Sequence, residues 1–378
     1  MTSYSSLFQP IQLGDITVQN RIGMSALTRN RAPNTVPSDL MAEYYVQRTL
    51  GGAGLIVTEG ALVTRQGTEW SHAPGIWNSE QTEAWKKIVD AVHSNGGRIY
   101  AQLWHVGRLS HPDASEQKLA GTPVYGPSAI SARGGKFRNV PGSSGYVTPT
   151  AVPDPQVIVD QFKQAAINAK LAGFDGVELH GANGYLITQF LDSTANNRTD
   201  KWGGSIENRS RFGLEVLKAL VDVFGRNVAL KLSPSGGYND VGMPLQETLD
   251  TYRYFITEAD KLNLSYITLV RYVPHTDHHG ERKRGIPHDV LESYRTYIKN
   301  AKIFLNATVT AEEADALIAA GKIDGAFIGF NWITHPDLAK RVLHGKVLDN
   351  IPDIPHLQPG KGDGNWTVGY TDYPVAVY

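Results

Sequence analysis

The run FDGVELHGA at residues 174–182 decides how the chain is read. Short, apolar and closed by small residues, it has the length of a strand rather than a helix. Glu178 and His180 stand two apart in it, and so on one face. Seven similar runs lie along the chain: RIGMSAL (21–27), LIVTEGALV (55–63), RIYAQLWHVG (98–107), NVALKLSP (227–234), LSYITLVRY (264–272), KIFLNAT (302–308) and IDGAFIGFN (323–331). Amphipathic helical patterns separate or follow them at about 38–50, 80–95, 156–172, 205–224, 246–262, 288–300, 310–320 and 335–345. Alternating strands and helices imply a parallel sheet with helical crossovers. Eight such units point to closure, because an open doubly wound sheet usually has roughly five to seven strands and a nucleotide-binding glycine turn. Neither GxGxxG nor GxxxxGK(S/T) follows any strand. The expected fold is an α/β (β/α)8 TIM barrel, a single domain over residues 1–378.

Two segments interrupt the repeat. LFQPIQLGDITVQ (7–19) reads as a hairpin ahead of the first strand, closing the barrel floor. Residues 108–150, rich in Gly, Pro and Ser, form a long insertion after strand 3. It leaves from the C-terminal end of a strand, the catalytic face of such barrels, so it is weighed as a lid or pocket wall against a plain loop. Residues 346–378 form a C-terminal tail, in which GKGDG (360–364) precedes no helix. Thr310-Ala-Glu-Glu313 opens the seventh helix with a capping-box pattern, hydroxyl and carboxylate each expected to satisfy an orphan backbone donor.

Composition narrows the function. A net charge of −1 and pI near 6.9 give no basic face for nucleic acid. No stretch approaches the ~18 unbroken apolar residues of a membrane span, and the start MTSYSSLFQP lacks a secretory pattern, so a cytoplasmic protein is expected. The absence of cysteine removes disulfides, iron–sulfur ligation and a thiol nucleophile.

The interior of a barrel normally wants branched apolar side chains, so polar residues at the C-terminal strand ends are candidates for chemistry. Here they are Thr28, Glu59-Gly60, Gln102 with Trp104, Glu178 with His180, then Asn183, Tyr185 and Lys231. Singly, each has a bland reading: a core amide, a snorkelling lysine, a packing aromatic. Together, at one end of consecutive strands, they describe a site.

The motifs NRIGMSALTRNRA (20–32), TEG (58–60), QLWHVGR (102–108), ELHGANGYLITQFL (178–191) and RTDKWGGSIENRSRF (198–212) resemble the Old Yellow Enzyme family in order and spacing. The resemblance covers roughly residues 7–345 and, with threonine at 28, is nearest the yeast- and plant-type branch. It implies FMN as cofactor, NADPH or NADH as transient reductant, and an activated alkene as substrate. It implies cofactor contacts from Ala26, Leu27, Thr28 (to the flavin O4), Gly60, Gln102 and Lys231, the last standing where the family has arginine. His180 and Asn183 would bind the substrate's electron-withdrawing oxygen, Tyr185 would donate the proton, and Trp104 would line the substrate site. No resident metal is implied, and the protein is expected to be a monomer or homodimer.

The resemblance frays at the phosphate end. Asn306, Ala307, Gly329, Phe330 and Asn331 occupy the expected positions, but the family's strand 8 arginine is missing. Basic residues of RYVPHTDHHGERKRG (271–285) are candidates to compensate, and Tyr370 of GYTDYPVAVY is expected near the phosphate or the barrel rim. His275, His278 and His279 have no helical spacing to organise a metal site. A glycosidase would need paired carboxylates across the barrel, and beyond Glu59 and Glu178 strand 7 offers none. The remaining alternatives share the fold: a flavoprotein isomerase, or a pseudoenzyme without FMN.

Overall fold

The computed structural model describes residues 4–133, 142, 145–277, 283–359 and 364–378. Eight strands form the barrel: β1 (Ile22–Met24), β2 (Leu55–Val57), β3 (Ile99–Trp104), β4 (Gly176–Gly181), β5 (Val228–Leu232), β6 (Tyr266–Val270), β7 (Lys302–Asn306) and β8 (Gly325–Ile328). Each pairs in parallel with its sequence neighbour, and β8 pairs back onto β1, so the sheet closes. The main outer helices are α1 (Asp39–Leu50), α2 (Ser79–Ser94), α3 (Pro155–Leu171), α4 (Ile206–Phe224), α5 (Leu245–Asp260), α6 (Val290–Tyr294), α7 (Ala311–Ala319) and α8 (Leu338–Leu343).

Strand alternation sorts the side chains. Along β4, Val177 and Leu179 face the helical ring and join the outer core, which leaves Gly176, Glu178 and His180 for the interior. The lower interior is an aromatic layer of Tyr100, Tyr266, Phe304 and Phe327, with ring centroids 4.9–6.0 Å apart. Three glycines make room for it. A β-carbon at Gly23 would overlap the Phe327 ring, one at Gly325 the Phe304 ring, and one at Gly176 the Tyr100 ring. Beneath lies the antiparallel hairpin of Ile11–Leu13 and Ile16–Val18, whose Ile11, Leu13 and Val18 pack into the same cluster. The floor expected of residues 7–19 is present.

Two helices differ from the periodic reading. The 288–300 pattern forms only α6 and a 3-10 turn at Arg295–Tyr297. The buried carboxylate of Asp260 accepts the backbone N–H groups of Lys299, Asn300 and Ala301, and donors bound there cannot continue a helix. The 335–345 pattern forms only α8, which Pro336 separates from a short helix at Asn331–Thr334. Proline disfavours helical backbone in the residue before it, and His335 sits at φ −123, ψ 87.

The insertion carries a helix at Ser115–Ala120 and a strand Tyr125–Gly126 paired with Thr150–Ala151. Its Leu109, Ala132 and Tyr146 pack with Trp104 and Tyr185. Of the tail's glycine cluster, residues 360–363 lie outside the described residues.

If the interior is as full as the glycine contacts indicate, Gly23→Ala and Gly325→Ala should each cost about 1–3 kcal/mol. Gly329→Ala, whose β-carbon would meet nothing nearer than Leu27 at 3.6 Å, should be close to neutral. Urea denaturation midpoints for the three variants check this, and equal losses would mean the aromatic layer yields.

Candidate active site

A cavity of about 310 Å3 opens at the C-terminal ends of the strands, within the ~300–1,000 Å3 range of small-molecule sites. Ala26, Leu27, Thr28 and Arg29 line it after β1, Gly60 and Trp70 after β2, and Gln102 and Trp104 from β3. His180, Asn183 and Tyr185 come from β4 and its loop, Lys231 from β5, Phe330 and Ile333 after β8, and Leu357 and Gln358 from the tail. Tyr238 completes the lining. A second cavity of about 320 Å3, between the insertion and α3, contains none of these residues.

The cavity floor holds two buried charges. Lys231 is 5% exposed, and its ammonium donates to Ser25 Oγ at 3.0 Å across the barrel. Burial pulls its pKa down, against the opposing pull of the Glu178 carboxylate. Glu178 is 2% exposed and accepts from Gln102 Nε2 at 2.8 Å and from Tyr266 Oη at 2.9 Å. Burial pushes this carboxyl up, while Lys231, Gln102 and Tyr266 hold it down. Lysine carries three donors and Lys231 uses one among the described residues, so the buried cation is suited to electronegative atoms placed in the cavity.

One wall is aromatic. The Trp104 ring meets Tyr185 edge-on at 5.0 Å and stacks on His180 at 6.3 Å, and His180 meets Tyr185 at 5.0 Å. A β-carbon on Gly60 would lie 2.8 Å from the Trp104 ring, so glycine there lets the backbone pass the indole. Burial, reinforced by Lys231, holds His180 well below its ordinary pKa, and the ring is neutral. Its Nδ1 accepts from the Ala182 N–H at 3.4 Å, which leaves Nε2 as the protonated nitrogen. Asn183 sits at φ 60, its N–H bonded to Ser233 Oγ at 2.7 Å and its carbonyl to Asn239 Nδ2 at 2.9 Å. Both backbone groups are thus fixed and the side-chain amide lines the cavity.

Asn306, Ala307, Gly329 and Asn331, expected at the phosphate end, do not line this cavity, whereas Phe330 does. Asn306 donates its side chain to the Phe327 carbonyl at 2.7 Å. Ala307 and Thr308 adopt φ 73 and 54, a strained pair for side chains with a β-carbon. The capping box at α7 is half made. Thr310 Oγ1 accepts from the Glu313 N–H at 3.1 Å, but the Glu313 carboxylate turns to the Arg271 guanidinium. The N–H groups of Thr308, Val309 and Thr310 have no partner among the described residues, and successive free amides of this kind suit an anion.

Tyr370 does not line the cavity but packs at its rim, against the arginines of the loop after β1. It stacks on Tyr44 of α1 at 4.1 Å, with the Arg31 guanidinium 4.4 Å from its ring. Arg29 and Arg31 donate to the tail carbonyls of Leu357, Gly369, His356 and Val368, which seats Leu357 and Gln358 at the cavity. Arg29, Trp70, Tyr238, Ile333, Leu357 and Gln358 escaped the strand-end reading because they lie beyond strand ends. The arginines of ALTRNR were the available signal. His278, His279 and Glu281 lie outside the described residues, among which no group of three potential metal ligands occurs. No helix among the described residues is long and apolar enough to cross a membrane.

A closed parallel barrel with a polar, partly charged cavity at its strand ends has the architecture of a barrel that binds a small, hydrogen-bonding ligand. The chain belongs to the NADH:flavin oxidoreductase / NADH oxidase family, matched over residues 6–349. It is 37% identical to 12-oxophytodienoate reductase 7 of Oryza sativa subsp. japonica, over 97% of this chain and 94% of that protein. It is 33% identical to a probable flavin mononucleotide-dependent alkene reductase of Leishmania infantum, over 98% of both. The structure of the old yellow enzyme homologue of Zymomonas mobilis is 33% identical and superposes with a TM-score of 0.87, covering 98% of this chain and all of that one. The chain is a flavin-dependent oxidoreductase with FMN as cofactor. The buried cation at the cavity floor and the free amides after β7 fit that cofactor.

The buried histidines carry a pH signature. His105 is held at about 3 by burial, and His180 is also depressed. The unfolded chain takes up these protons near pH 6.5 while the native state refuses them, so stability is lost as pH falls below about 6.5. Each group contributes a slope of up to about 1.36 kcal/mol per pH unit. His180→Gln should flatten the fall of unfolding free energy between pH 6.5 and 5 by up to one proton's worth. An unchanged slope would mean His180 is protonated in the native state.

Proposed function

We propose that the cavity reduces the carbon–carbon double bond of an α,β-unsaturated carbonyl compound or similarly activated alkene, with NADPH or NADH as reductant. The observation that carries this reading is the single wall formed by His180, Asn183, Tyr185 and Trp104 above the Lys231 floor. FMN, when bound, would supply the hydride chemistry for this reduction. Ala26, Leu27, Thr28, Gly60, Gln102 and Lys231 would hold its ring system, and the loops at Asn306-Ala307 and Gly329-Phe330-Asn331 its phosphate.

The protein's part is polarisation and proton supply. The Nε2–H of neutral His180 and the amide of Asn183 donate to the carbonyl oxygen, where negative charge grows. One such donor is typically worth ~3–4 kcal/mol in the transition state. A neutral donor is favoured over imidazolium here, because a second cation beside Lys231 would be costly in a buried site. Tyr185 supplies the proton to the α-carbon, since a phenol is protonated at neutral pH. The edge contacts of Trp104 and His180 hold its ring.

Tyr185→Phe separates these roles. Anaerobic bleaching of the flavin absorbance by NADPH should stay near normal, since no carbon is protonated in that half. Reoxidation by cyclohexenone should slow ~10²–10⁴-fold, the usual span of general acid catalysis, while reoxidation by oxygen is spared. Stopped-flow absorbance follows both halves, and a wild-type rate with cyclohexenone would remove Tyr185 from the reaction.

The phosphate end yields a second test. Asn331 is exposed and lies off the cavity, whereas Phe330 lines it while 47% exposed, so a compensating cation belongs at 330. Phe330→Arg should slow loss of FMN on dialysis, and Asn331→Arg should leave it unchanged. The opposite ranking would place the phosphate nearer residue 331.

A further inference from the structure

Glu178 is a buried ionisable group beside the cavity that the proposed reaction leaves unused. It projects into the barrel from β4, two residues before His180, between the aromatic layer below and the cavity above. An apolar side chain of the same size would fill that space without the cost of desolvating a carboxylate. Its surroundings indicate what it does instead. Gln102 faces it directly across the β3–β4 pairing, and Nε2 of that amide donates to Glu178 Oε1 at 2.8 Å. Tyr266 occupies the other oxygen from β6 at 2.9 Å, and Lys231 stands on the adjoining strand β5, paired with His180 two positions beyond the Ala229–Glu178 pair.

A carboxylate only accepts hydrogen bonds, so it selects one of the two orientations of the Gln102 amide. Nε2 must turn towards Glu178, and Oε1 is then left without a protein partner among the described residues, at a side chain that lines the cavity. The floor therefore offers a carbonyl acceptor from Gln102 beside the ammonium donors of Lys231. In an oxidised isoalloxazine the imide N3–H is the one ring N–H donor, and carbonyl oxygens flank it. The paired acceptor and cation match that edge.

We propose that Glu178 is a positioning residue of the flavin site, locking the Gln102 amide so that its Oε1 accepts from the ring imide N–H, and serving as countercharge to Lys231. The proposal rests on FMN occupying this cavity. It does not require that the alkene chemistry be as described.

The test uses the FMN-loaded protein, reconstituted with 15N-labelled FMN, and reads the N3 resonance and the flavin midpoint potential. Glu178→Gln removes the charge and allows the facing amide either orientation. The N3 signal should move towards its position for a weakened hydrogen bond. The potential should rise, because Lys231 then acts unopposed on the reduced flavin, by about tenfold in the equilibrium constant or ~30 mV for a two-electron couple. Gln102→Met deletes the acceptor and should produce the same N3 displacement. In that background Glu178→Gln should still raise the potential but add nothing to the N3 shift. An N3 resonance unmoved by Gln102→Met overturns the proposal even if Glu178→Gln fails to fold. An unchanged N3 signal and potential in a folded Glu178→Gln variant overturns it equally. Wild-type protein that takes up no FMN would instead sink the flavin reading beneath it.

Discussion

The inside of an eight-stranded barrel is too narrow for eight large side chains at one level, and it cannot be left empty. Gly23, Gly176 and Gly325 resolve that constraint by giving up their side chains to Phe327, Tyr100 and Phe304. The resulting aromatic layer, backed by the hairpin, closes the lower barrel with apolar surface. Everything above depends on it. Side chains seated on a dry, close-packed floor have little freedom to drift, and solvent reaches them only from the cavity side.

Directly above, the interior changes character within one turn of the strand pleat. Tyr266 belongs to both levels, with its ring in the aromatic layer and its hydroxyl on the Glu178 carboxylate. Burial pushes that phenol's pKa up and so keeps it a donor. Glu178 and Lys231 are each costly alone and tolerable together, and the hydrogen bonds from Gln102 and to Ser25 complete their accommodation. Burial, reinforced by Lys231, holds His180 neutral. The buried lysine thereby conditions both the floor and the aromatic wall of the cavity. Lysine concentrates its charge at one point where arginine would present a flat fork, so its effect depends on Ser25 holding that point in place.

The tail contributes in a different way. Arg29 and Arg31 are buried and spend their donors on tail carbonyls, and the Tyr44–Tyr370 stack pins the chain against α1. Glu59 accepts the N–H groups of Arg29 and Asn30, so the loop after β1, the cavity rim and the C-terminal tail form one connected unit. Burial raises the Glu59 carboxyl to about 7, even with these arginines alongside.

The amino-acid sequence by itself determined the strands, most of the helices and the identities of the polar groups at the strand ends. Each of these is a local property: a run of apolar residues, a 3.6-residue period, a side chain two positions from its neighbour. Thr28, Gly60, Gln102, Trp104, His180, Asn183, Tyr185 and Lys231 could be collected at one rim because parallel closure brings every strand's C-terminal end there. Where a distant residue competed for a local group, the local reading failed. Asp260 captured the amides that would have extended α6, and Arg271 drew the Glu313 carboxylate away from its cap. Only the tertiary structure decided that Phe330 rather than Asn331 faces the cavity, that Leu357 and Gln358 wall it, and that Glu178 grips Gln102. Those facts are distances between residues far apart in the chain. They are set by barrel closure and side-chain packing, and no periodicity within the sequence encodes them.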